Sequence, residues 1–81
     1  MNDKTVKDAF MEVVVNQLET NDPPETQLTL DRLMAAGHSR GEAMQLIAAV
    51  ARNEMQAMLS ASRQFDNARY AQLLAKLPEL D

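Results

Sequence analysis

The chain has no cysteine and no tryptophan, only two glycines and three prolines, and its aromatic residues are Phe10, Phe65 and Tyr70 alone. Without cysteine there is no disulfide, no thiolate metal site and no thiol nucleophile. Scarce glycine and proline leave little turn material for a sheet protein. One histidine, His38, offers little to a metal that prefers imidazole. Positive charge is also in deficit, with twelve acids against eight bases and a net charge of −4. That balance works against nonspecific attraction to phosphate backbones and anionic membranes. The longest uninterrupted apolar run, 46–51, is far below the roughly 20 residues that span a bilayer. The opening MNDKTVKDAF scatters charge and leads into no apolar region of signal type. A cytoplasmic protein outside the membrane is the expectation, and the lack of cysteine agrees with it.

What is present is aliphatic. The apolar fraction is 46%, carried by Ala, Leu, Val and Met, in 81 residues that make one domain, 1–81. A chain of this size buries roughly 60–65% of its unfolded surface on folding, a thin core. With disulfide and thiolate-metal staples excluded, stability must come from helix packing, with a second subunit as the remaining source of help.

Periodicity predicts four helices. Over 4–20, Val6, Phe10, Val13, Val14 and Leu18 recur at helical spacing, with Lys7, Asp8, Glu12 and Glu19 mostly opposite. Thr5 with Asp8 resembles a capping box, and Asp3 competes as the cap. The run Val13-Val14-Val15 sweeps about 200° of the wheel, wider than a single core-facing stripe. Met11 and Val15 therefore form a second apolar edge. Asn21-Asp22-Pro23-Pro24-Glu25 stops that helix and starts the next, with Asp22 as the expected cap and Glu25 at the capping-box position. The second helix is expected over 23–36, inward through Leu30, Leu33 and Met34, and Gly37 suits its left-handed terminus.

Ser39-Arg40-Gly41-Glu42 is a capping box that opens a third helix over 40–61. Its stretch 46–51 is apolar all round, which predicts burial all round and a central position. Met55, Met58 and Leu59 are expected to extend its core face. Asp66 caps the fourth helix, 67–77, with Phe65 and Tyr70 as a hydrophobic staple and Leu73, Leu74 and Leu77 inward before Pro78. The fold class is thus all-α, a compact four-helix domain with helix three in the middle.

Little here points to chemistry. The serines Ser39, Ser60 and Ser62 fall at a cap or near a helix end. His38 and Glu42 are four apart, a ligand spacing, but His38 precedes the cap and no third ligand is in view. Packing of His38 at the Gly37 turn against Leu33 is the simpler reading. No enzyme, cofactor or metal is expected. Arg52-Asn53-Glu54 interrupts the apolar helix and reads as its one wet stripe, with Arg52 or Glu54 paired to a neighbouring helix. The methionines suit core packing, with Met11 and Met44 the candidates for exposure. The helix–Gly37–helix frame of 31–47 has the outline of a DNA-binding motif, yet only Arg40 is basic at the start of its second helix.

The same stretch carries a family likeness. Arg32-Leu33, Gly37, Ser39, Glu42-Ala43, Leu46-Ile47-Ala48 and Val50, then Phe65-Asp66, Arg69-Tyr70, Leu74 and Leu77-Pro78, resemble a two-part pattern of small bacterial helical proteins. That pattern is R-L-x-x-x-G-x-S-x-x-E-A-x-x-L-I-A-x-V followed by F-D-x-x-R-Y-x-x-x-L-x-x-L-P, and Met44 falls at a free position where relatives place other residues. The resemblance covers about 30–78 and implies the helical fold, without a function. A shorter stretch, Leu33 to His38 with Glu42, Ala43 and Leu46, is similar to the loop and following helix of ubiquitin-associated-type three-helix modules. It implies a glycine-turn surface around Met34 and His38 that binds something, at the level of fold analogy.

The expected function is a small non-enzymatic protein-interaction module, self-associating as a homodimer or binding a protein partner. Met11, Val15, Met34, His38 and Met44 are its candidate contact residues. The alternative is a nucleic-acid-associated factor using Arg32, Arg40 and His38, disfavoured by the acidic chain.

Overall fold

The computed structural model describes residues 3–80, with side chains from Ala9 onward. The elements are α1 (Asp3–Thr20), α2 (Pro24–Ala35), α3 (Arg40–Ala61) and α4 (Asn67–Lys76). All four expected helices are present within a residue of the expected ends, and no strand occurs among the described residues. The caps proposed for the first helix at Asp3 or Thr5, and the inward Val6, lie outside the described side chains.

Each boundary has a local cause. α1 ends with Asn21 in the left-handed region at φ 53°, and the Asp22 N–H donates to the Gln17 carbonyl. That bond closes the helix end in the Schellman manner. It also corrects the expected Asp22 cap. α2 starts one residue later than expected, Pro23 occupies the cap position, and no side chain caps it. With its backbone engaged to α1, Asp22 sits just outside the new helix, and the Pro23 carbonyl accepts the first turn's Thr26 N–H instead. At the other end of α2, Gly37 has φ +107°, His38 N–H donates to Leu33 O and Gly37 N–H to Met34 O. This is the complete Schellman pair, as the glycine predicts.

α3 begins in the expected capping box. Glu42 N–H donates to Ser39 Oγ at 3.1 Å, and Ser39 N–H returns a bond to Glu42 Oε1 at 2.9 Å. Those bonds hold the Glu42 carboxyl below its ordinary range, the Ser39 backbone N–H contributing most. α4 is capped by Asp66 Oδ1 accepting from Arg69 N–H at 3.0 Å. The Phe65 and Tyr70 rings meet edge-on at 5.1 Å, which realises the staple.

α3 packs against all three other helices, so the central placement holds. α1 and α4 do not approach each other backbone to backbone among the described residues. One shared core joins Val14 of α1, Leu30 and Leu33 of α2, Ala43, Ile47, Val50 and Ala51 of α3, and Tyr70, Leu74 and Leu77 of the last segment. The radius of gyration is 12.2 Å, close to the ~12 Å expected of a globular chain of this length.

The expectation that 46–51 is buried all round is corrected: Ala49 is exposed and Leu46 only half-buried. Three packed neighbours cover most of α3, and one strip stays open. Leu59, expected on the core face, is 74% exposed. It lies about 100° around the helix from Met58, past the edge that Ile47, Ala51 and Glu54 define.

Candidate functional site

The candidate contact residues are spread over α1, α2, the turn that follows it and α3. Met11 and Val15 follow each other along one edge of α1, where Met11 is half-buried and Val15 38% exposed. Met34, expected inward with Leu30 and Leu33, is instead 42% exposed in the last turn of α2, where it lies about 100° around the helix from Leu33. His38 is half-buried one residue past Gly37, in the turn whose bonds tie Gly37 to Met34 and His38 to Leu33. Met34 and His38 thus share one turn. Met44, expected to be exposed, is half-buried and packed against the core, because it lies within a quarter turn of Ile47 on the buried side of α3. Sequence reasoning missed Leu28, 65% exposed, and Leu80, also exposed. For Leu28 the signal was available: it sits about 200° from Thr26, opposite the inward Leu30 and Leu33.

The polar groups are built into the fold more tightly than the sequence indicates. Arg52 and Asn53 are exposed, as the wet-stripe reading has it, but Glu54 is wholly buried. Its carboxylate accepts from Arg63 Nη1 at 2.7 Å, Arg63 Nη2 at 3.2 Å and the Asp66 backbone N–H at 2.8 Å. Arg69 Nη1 donates to the same group, and Arg69 Nη2 reaches Asn53 Oδ1 at 3.0 Å. The Arg63 contact does most to hold the Glu54 carboxyl down at about 2, against burial acting in the opposite sense. Pairing also raises the Arg63 guanidinium. The cluster ties α3, the α3–α4 loop and α4 together. Its signal in the sequence was the register of Glu54 with Ile47, Ala51 and Met58, a position on the core stripe that only a paired charge can occupy.

A second cluster is neutral. Gln17 Oε1 of α1 accepts from Thr26 Oγ1 of α2 at 2.9 Å and from Tyr70 Oη of α4 at 2.8 Å. All three residues are buried, and burial pushes the Tyr70 hydroxyl up from its ordinary value. Tyr70 thereby bridges α4 to α1, which the backbones do not bring together. Arg32, on α2, donates to Leu77 O and Leu74 O, each at 2.9 Å, closing the carbonyl end of α4.

These polar groups serve one another. No buried side-chain nitrogen or oxygen among the described residues lacks a partner, and no group of three or more His, Cys, Asp or Glu there forms a metal-holding cluster. An open groove of about 250 Å³ lies between α3 and the end of α4. No helix among the described residues is long and apolar enough to cross a membrane. Comparison of the chain with protein-family models, with curated proteins and with solved structures gives no match.

Proposed function

We propose that the chain is a non-enzymatic protein-interaction module of the cytoplasm, contacting its partner protein along the Met11–Val15 edge of α1 and the Met34–His38 turn. The observation that carries this reading is the exposure of Val15 and Met34, 38% and 42%, in a domain whose buried polar groups are already engaged with each other. Apolar side chains left in water favour association, and two such residues flanked by polar ones make a modest, reversible contact. Met34 adds an adaptable, polarizable surface. The nucleic-acid alternative loses support from Arg32, whose guanidinium is held by the Leu74 and Leu77 carbonyls. Phosphate binding would have to break those bonds.

The test is site-specific photocrosslinking in cells from Val15 and Met34, with exposed Arg52 on α3 as the control position. The reading expects one protein captured from positions 15 and 34 and not from 52. Val15→Asp should then remove the capture from position 34 while helical circular dichroism is unchanged. Equal capture from all three positions, or capture that Val15→Asp leaves intact, refutes it.

A further inference from the structure

The charge of the molecule is unevenly divided. Residues 1–38 carry the whole net charge of −4, whereas residues 39–81 hold as many bases as acids. Along α1, α2 and the connection between them, Glu12, Glu19, Asp22, Glu25 and Asp31 are all exposed, and Arg32 is committed to α4. Two copies brought together by a two-fold axis through that half would set acid against acid. Like charges so juxtaposed are strongly unfavourable. The neutral half has no such obstacle.

That half also holds the groove. Its floor is Ala49 and Val50 of α3 with Leu73 of α4 and Leu80, and its rim carries Asn53, Lys76 and Glu79. Ala49 and Leu80 are exposed and Leu73 is half-buried, so apolar surface remains in water. The rim charges are opposite in sign, and among the described residues neither Lys76 nor Glu79 makes an ion pair. Their spacing is fixed by the Glu79 N–H donating to the Lys76 carbonyl at 3.0 Å. A two-fold interface presents the same patch from both sides. A patch with one cation and one anion beside an apolar floor is complementary to itself: Lys76 of one copy meets Glu79 of the other, twice.

We propose that the groove between α3 and the end of α4 is the face through which two copies of this chain form a symmetric dimer. It shares with the interaction-module reading only the premise that association is the domain's role. It assigns self-association to a surface away from Val15 and Met34.

Sedimentation equilibrium of the purified protein over about three decades of concentration, with three charge variants, tests the proposal. Wild type is expected to dimerise reversibly. Lys76→Glu alone and Glu79→Lys alone each place like charges in both contacts, and dimerisation should weaken by about tenfold or more. An equimolar mixture of the two single variants restores both pairs in the heterodimer, and so does the double swap in one chain; both should recover association. The substituted side chains are exposed, so circular dichroism should not change. If a charge variant fails to fold, Ala49→Arg blocks the floor without touching the rim and should give a monomer. A wild-type monomer throughout overturns the proposal, as does a dimer indifferent to the single swaps or to Ala49→Arg. Weakening that neither mixture nor double swap repairs also overturns it, because the two charges would then not face each other. Crosslinking from Val15 and Met34 is scored separately, so either reading can fail while the other stands.

Discussion

Replacing Glu54 by glutamine should destabilise the domain substantially and make its stability less dependent on pH. The glutamine is isosteric and can still accept from the Asp66 N–H. It loses the charge that Arg63 and Arg69 neutralise, and its amide places donors against guanidinium donors. Truncating one partner of a fully buried pair costs about 3–5 kcal/mol. Here the arginine side chains are 31% and 37% exposed, so water takes up part of their charge once the carboxylate is gone. The depression of the Glu54 carboxyl from 4.5 to about 2 corresponds to about 3 kcal/mol at full value, and solvent screening at the arginines brings that nearer 2 kcal/mol. Both routes converge on about 2–3 kcal/mol. For a chain of this length, with total stability of about 4–12 kcal/mol, the melting temperature should fall by about 10–20 °C near neutral pH.

The sign of the pH dependence follows from the direction of the shift. A carboxyl whose folded pKa lies below its unfolded value binds fewer protons when folded, so its contribution is complete above the unfolded pKa and vanishes as pH falls through the folded one. The gap between wild type and Glu54→Gln should therefore be constant above about pH 5 and should close between about pH 5 and pH 2. Every other carboxyl titrates in both proteins, so the difference isolates Glu54. Thermal unfolding followed by circular dichroism across that range is the assay. A variant as stable as wild type, or a gap that does not narrow in acid, refutes the assignment of a buried, ionised Glu54.

Other sites give smaller, separable effects. Tyr70→Phe and Thr26→Val should each cost about 1 kcal/mol in denaturant unfolding, since Gln17 Oε1 keeps one donor; together they strand that carbonyl, and the double variant should lose more than the sum by about 1 kcal/mol. Gly37→Ala and Gly41→Ala meet no steric obstacle, yet they should have opposite signs: the first forces alanine into φ +107° and destabilises by about 1 kcal/mol, while the second replaces a glycine in the first turn of a helix and stabilises by about 0.5–1 kcal/mol. Ser39→Ala should cost about 1 kcal/mol through the lost cap, and the Glu42 carboxyl, followed by NMR titration, should rise only part of the way to its ordinary value, because the backbone N–H at position 39 remains to donate to it.

The parts of this fold visible in the sequence are those set by neighbours along the chain. Gly37, the Ser39–Glu42 box and the Asp66 cap each act within a few residues, and each appears where the local pattern places it. Asp22 fails because two local signals compete for it, and closure of α1 prevails over capping of α2. What stayed hidden depends on partners far along the chain. Tyr70 lies 53 residues from Gln17, and Arg32 lies 42 and 45 from the carbonyls it holds. No periodicity encodes such a pairing. Leu59 and Met44 show the same limit in apolar terms: helical spacing places them near the edge of the core stripe, and only the neighbours decide which edge is covered. The candidate surface was legible at Val15, which remains exposed, whereas Met34 was read as inward and is exposed; the groove, formed by α3 with the end of α4 and the residues that follow it, was not legible.

Three polar ties converge on α4: Glu54 through Arg69, Gln17 through Tyr70, and Arg32 on its terminal carbonyls. At ten residues it is too short to persist as an isolated helix, so its position depends on what holds it. Arg32→Met tests this directly. Methionine keeps much of the apolar stem and removes the donors to Leu74 and Leu77, leaving the end of α4 open to water. Charge-assisted bonds from an exposed arginine should contribute about 1–2 kcal/mol here. Amide exchange should accelerate at the C-terminal turn of α4 while α3 stays protected to the level of global unfolding. Because Leu73, Lys76, Glu79 and Leu80 belong to that end of the molecule, dimerisation through the groove should weaken as well, although Arg32 lies outside it. Unchanged exchange in the last turn would show that apolar packing alone fixes α4 and that the guanidinium is incidental.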